Sequence, residues 1–211
     1  CFPLEAAAAG RFITATATDP DGNTSEFSMA SEAVPAIGRF LNVSTRLRVQ
    51  TGENVLIGGF IITGTEPAGV LLRAIGPSLG DFGIEDFLAD PALELHFADG
   101  TMMTNEDWRD TQEAEIIATG IPPNDDAESA ILVNLEPGAY TAIVSGVNGG
   151  TGVGLVEAYD LSATDDERFA NVSTRGLVET GDNVMIGGVI VGSNTGMMAR
   201  VVVRAIGPSL T

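Results

Sequence analysis

One stretch of this chain occurs twice. Residues 39–60 read RFLNVSTRLRVQTGENVLIGGF, and residues 168–189 read RFANVSTRGLVETGDNVMIGGV. After a variable tip, VLLRAIGPSL at 70–79 returns as VVVRAIGPSL at 201–210. A self-similarity offset by about 129 residues marks a tandem-repeat architecture, each unit leaning on its neighbours. The second copy holds only the opening part of the unit, so strands built from it have edges and apolar side chains that something must cover.

The spacing and residue types of the repeat are those of β structure. Val, Ile, Thr and Ala abound, with 26 glycines to mark turns and bulges, and 44% hydrophobic residues supply a core. The net charge of −19 opposes binding to nucleic acid or to an anionic membrane surface. All ten basic residues are arginine. Lysine chemistry, from Schiff bases to Lys–Asn cross-links, is therefore excluded. Cys1 is the lone cysteine, which rules out an internal disulfide, and its position is read as a processing site or a fragment boundary. A lipidated N-terminal cysteine is the other reading. No run of about 20 apolar residues is present to span a bilayer.

Alternation and turn chemistry divide the chain into four parts. Residues 1–30 are a hairpin tail, RFITATATDP turning at Asp19-Pro20-Asp21-Gly22-Asn23. Residues 31–38 are a linker, 39–167 a complete unit, and 168–211 the opening part of another. Strands are predicted at 41–49, 54–63, 69–75, 92–97, 129–134, 138–146 and 153–161, and a helical piece at Thr111–Thr119, stopped by Gly120-Ile121-Pro122-Pro123. The hairpin from Gly10-Arg11-Phe12 lines up with that from Gly138-Ala139-Tyr140. The tail therefore reads as the closing part of a unit. The expected fold is all-β: tandem sandwich units of jelly-roll or immunoglobulin-like kind, one complete and one open.

The segments ANVSTRG, TGDNVMIGG and VRAIGPSL resemble a repeat of very large secreted proteins of environmental bacteria. No activity attaches to that repeat. The tail GRFITATATDPDGNTSEF resembles the last hairpin of bacterial immunoglobulin-like modules, and LELHFADGT, NEDW and ESAILVNLEPGAYTAIVSG resemble bacterial pre-peptidase C-terminal domains. That last likeness implies a β-sandwich appended to secreted enzymes, with calcium or polymer binding in some relatives and no catalytic residues to transfer.

Few constellations carry chemistry. The one histidine, His96, lies in the alternating run LELHFAD, which puts Leu93 and Leu95 on one face and Glu94 and His96 on the other. A Ser–His–acid triad would have to rest on it alone. Hydrolysis of sugars would need two carboxylates across an aromatic-lined cleft, and the chain has one Trp and two Tyr. The chain is read as no enzyme. Asp99, Asn105, Asp107, Asp110 and Asp126 are the oxygen donors from which a calcium site would be built; the alternative is a solvated acidic loop with Asp turns. Arg73 and Arg204 each end a strand, where an arginine is placed to pair with an acid such as Asp90 or to bind a partner. Gly58-Gly59 and Gly187-Gly188 permit a bulge or close sheet packing.

The leading expectation is an extracellular structural protein at the cell surface, a filament subunit joined head-to-tail to further copies of itself by strand complementation. Its contacts would come from Phe12, Ile13, Ala15 and Ala17 of the tail and Val184, Ile186, Val201 and Val203 of the open unit. The alternative is an adhesive module of a long secreted repeat protein, calcium-stabilised and gripping an extracellular polymer.

Overall fold

The alternating runs build two five-stranded antiparallel sheets in the computed structural model of the chain, and these face one another as an all-β sandwich. The structure describes residues 12–13, 31–32, 39–162, 168–192 and 201–207. They fall in two units, Cys1–Ile37 and Gly38–Thr211. In the first, β1 (Phe12–Ile13) pairs antiparallel with β2 (Ser31–Glu32). Ala15 and Ala17, named above as tail contacts, lie outside the described residues, as does the Asp19–Asn23 turn.

The second unit contains β3 (Arg39–Val49), β4 (Leu56–Thr63), β5 (Ala68–Ile75), β6 (Pro91–His96), β7 (Met102–Asn105), β8 (Ser129–Leu135), β9 (Gly138–Gly146), β10 (Gly152–Asp160), β11 (Arg168–Arg175) and β12 (Ile186–Gly192). One sheet has the order β12-β3-β10-β5-β8 and the other β11-β4-β9-β6-β7. The chain crosses between sheets at most connections, so the inward side chains of successive strands meet in one core. In β4, Leu56, Phe60 and Ile62 are buried, while Ile57, Gly59 and Ile61 turn outward, a period of two. Val43, Thr45, Leu47 and Val49 do the same in β3.

β5 breaks this pattern because both its faces are covered. Val70, Leu72 and Ala74 enter the main core, while Leu71 enters a satellite core with Trp108, Ile116 and Ala130. The covering segment carries the short helix α1 (Glu113–Ala118), which ends before Gly120 at φ +77°. A third cluster of Ile75, Leu79 and Val153 staples the RAIGPSL turn. β7 is the one strand of the second unit's sandwich, outside the repeated run, that alternation did not predict. Met102, Met103 and Thr104 are all exposed, and a solvated edge strand has no buried face to impose a period. Among the described residues, no helix is long and apolar enough to cross a membrane.

Candidate functional site at the junction of the repeated runs

The second copy of the repeated run lies on the edges of the first. β11 extends the sheet of β4, and β12 extends the sheet of β3. Since β3 and β11 are copies of one another, as are β4 and β12, each run's first strand pairs with the other run's second. The register obeys this rule throughout. Val43 faces Val189, and its mate Val172 faces Phe60; Thr45 faces Gly187, and Thr174 faces Gly58; Arg46 faces Ile186, and Arg175 faces Ile57. Even the irregularities match: Leu41 is the extra residue in one pairing and Ala170 in the other. The junction has a local two-fold axis, which passes where Thr45 Oγ1 and Thr174 Oγ1 hydrogen-bond at 2.8 Å. A second pair of equivalent positions, Gln50 and Glu179, is joined by Nε2 donating to Oε1 at 2.7 Å.

The axis explains two sequence motifs. The second glycine of each Gly-Gly pair faces the serine of the other run's NVST. A Cβ on Gly59 would lie 2.9 Å from Ser173 Oγ, and one on Gly188 would lie 2.7 Å from Ser44 Oγ. The glycines therefore serve close strand approach. Between the sheets at this point is a void of about 20 Å³, lined by Val43, Thr45, Gly58, Phe60, Val172 and Thr174 among others. It has room for a water and for no larger ligand.

The outer edges of the two added strands differ from those of their copies. In the first run, β4 carries β9 and β3 carries β10 on the other side. The corresponding sides of β12 and β11 have no strand among the described residues. The side chains follow. Phe60 is 4% exposed and its counterpart Val189 51%; Leu72 is 0% exposed and its counterpart Val203 86%. Val184, Ile186 and Val201, the remaining open-unit positions named from sequence, are exposed as well. Phe12 lies in β1, paired with Glu32, and Ile13 beside it with Ser31.

The RAIGPSL motif of the first run is a structural corner. Arg73 lies opposite Glu157 across the β5–β10 pairing, and its guanidinium donates to that carboxylate, to Tyr159 OH at 3.0 Å and to the carbonyls of Ile121 and Pro122 at 2.8 and 3.1 Å. The expected acid, Asp90, is not its partner, because strand register places Glu157 directly across. Burial first, then the Glu157 charge, hold the Tyr159 phenol above its ordinary pKa, against the pull of Arg73. A Cβ on Gly76 would fall 1.9 Å from Leu88 O, which requires glycine there. Glu128, fully buried, accepts from the backbone N–H of Gly76, Ser78, Asn124 and Asp125 at 2.9–3.3 Å. In the second run Arg204 is exposed, and a Cβ on Gly207 would meet nothing within 4 Å.

The five calcium candidates are put to separate uses. Asn105 is buried and bridges Asp107 O and Ala130 N. Asp99 accepts from Thr101 N and Oγ1, hydrogen bonds that hold its carboxyl below the usual range. Asp126 takes Arg109 Nε at 2.5 Å, and Asp107 and Asp110 are exposed. Among the described residues, no three His, Cys, Asp or Glu side chains are grouped to hold a metal ion. His96 shares the outer face of β6 with Glu94, and the two side chains hydrogen-bond at 2.7 Å. Sequence reasoning missed the buried role of Glu128 and the pairing of β11 and β12 onto β4 and β3. The serine-to-glycine complementarity of the repeated run is the signal that would have found the second. No protein-family model matches the sequence, and no curated protein matches it.

Proposed function

We propose that the chain is an extracellular structural protein, a subunit of a surface filament in which the tail strand of one molecule completes the open run of the next. The observation that carries this reading is the side of β12 that has no strand among the described residues, with Ile186, Val189 and Ile190 exposed in it, Val184 exposed just before it and Val201–Ile206 exposed beyond. The equivalent side of β4 is occupied by β9, whose Tyr140 lies opposite Phe60. The tail run from Gly10 aligns with the run from Gly138, so it would enter with Phe12 opposite Val189. Main-chain bonds give such a contact its affinity, and each large apolar side chain covered adds roughly 1.5–3 kcal/mol. Because donor and acceptor are different surfaces, the contact propagates and does not close.

Negative-stain microscopy of the purified chain, with and without residues 1–30, tests this. Fibres that vanish on truncation are expected. Monodisperse particles in both cases would refute the filament.

A further inference from the structure

The two-fold relation at the junction holds for the backbone and is broken, in the same sense, where two leucines of the first run pack against glycines of the second. Leu47 and Gly176 are equivalent residues that meet beside the axis. A Cβ on Gly176 would lie 2.4 Å from Leu47 Cδ2 and 3.3 Å from Cδ1. Leu47 is 1% exposed within the main core, so it has no room to swing aside. One leucine and one glycine share a space that two leucines would overfill and two glycines would leave hollow. At the far end of the pairing, Leu41 packs over Gly192, where a Cβ would lie 2.4 Å from Leu41 Cδ1 and 3.0 Å from Cγ. The mates of these two residues are Ala170 and Thr63. Both projecting leucines belong to the first run and both vacant positions to the second.

We propose that the junction is keyed: the edges of β3 and β4 accept a run of the 168–192 kind and reject another run of the 39–63 kind. A second first-type run would bring leucine against Leu47 and threonine against Leu41 in place of the two glycines. Discrimination comes from a built clash, while the shared serine–glycine and threonine contacts supply the attraction to either partner. The consequence is directional. Runs that look interchangeable in sequence recognise each other as unlike halves. The inference does not depend on the tail strand.

The test uses the full chain with Cys1→Ser throughout and reads docking by oxidative cross-linking of Thr45→Cys/Thr174→Cys, placed where the two hydroxyls already touch. Gly176→Leu is expected to slow cross-linking about tenfold or more. The exchange Leu47→Gly/Gly176→Leu should restore it, the leucine entering the same space from the opposite strand. Gly192→Thr should likewise slow cross-linking, and Leu41→Ala added to it should restore it. Fluorescence of Trp108, buried in the satellite core, reports whether each variant is folded. Should the buried Leu47 exchange fail to fold, the half-buried Leu41 exchange decides the matter. Native cross-linking rates in Gly176→Leu and Gly192→Thr would overturn the keying, and so would a loss that neither exchange repairs. Disulfide dimers through position 45 in Gly176→Leu/Thr45→Cys would also overturn it, since first-type runs would then be accepting one another.

Discussion

Glu128 shows how much of this fold hangs on single polar side chains. Its two carboxyl oxygens are fully buried and accept four backbone N–H groups, two from the RAIGPSL turn and two from the loop at 124–125. Main-chain bonds add to this: Trp108 N donates to Glu128 O at 2.9 Å, and Trp108 Nε1 to Asp125 O at 3.0 Å. Replacing the carboxylate by an amide turns an NH₂ toward N–H donors and strands at least one pair. Glu128→Gln is therefore expected to cost about 2–4 kcal/mol, since a buried donor left without a partner loses its full solvation. The corresponding fall in Tm is about 5–10 °C for a chain of this size, measurable by calorimetry. An unchanged Tm would mean the turn is held by the Ile75–Leu79–Val153 cluster alone. Nothing in the run DDAESA marks Glu128 as buried. It is an acid among acids, and only the return of the chain to Gly76 makes it the bracket of a turn.

At the scale of elements, the same sequence in two environments gives an internal control. Phe60 of β4 stacks on Tyr140 with ring centroids 5.6 Å apart and meets Phe169 edge-on at 5.4 Å. Its counterpart Val189 in β12 is half-exposed. Phe60→Ala should cost about 3–5 kcal/mol, the range for a large aromatic removed from a packed core. Val189→Ala should stay within about 0.5 kcal/mol for the isolated molecule. Thermal melts of the two variants check the contrast; a comparable loss for Val189→Ala would mean that β12 is covered within the molecule. The strands of the first run were legible because their burial is one-sided: Leu56, Phe60 and Ile62 against Ile57, Gly59 and Ile61 give a period that sequence alone displays. β7 was not legible, having no buried face. The docking of β11 and β12 was missed for a different reason. Pairing joins residues more than 100 positions apart, such as Ser173 and Gly59, and local periodicity carries no information about which edge a strand will choose. Asn105 follows the same logic, since its side chain binds the backbone of a strand 25 residues away.

For the whole molecule, charge and apolar exposure pull in opposite directions. Each chain carries −19, so two copies repel at every approach. The surface proposed to join them is apolar where it matters: Val184, Ile186, Val189 and Ile190 on one side, and Phe12 within the tail strand on the other. Salt therefore weakens the opposing term and leaves the favourable one intact or strengthened. The range of the repulsion shrinks from about 30 Å at 10 mM salt to about 3 Å at 1 M. Assembly should accordingly begin at lower protein concentration as salt rises, followed by light scattering across a sodium chloride series. Removal of residues 1–30 should abolish the effect, and Val189→Ala should raise the onset concentration without altering the direction of the trend. Assembly that weakens as salt rises would show a contact held by ion pairs. The ten arginines, and not the strand edges, would then be the residues to pursue.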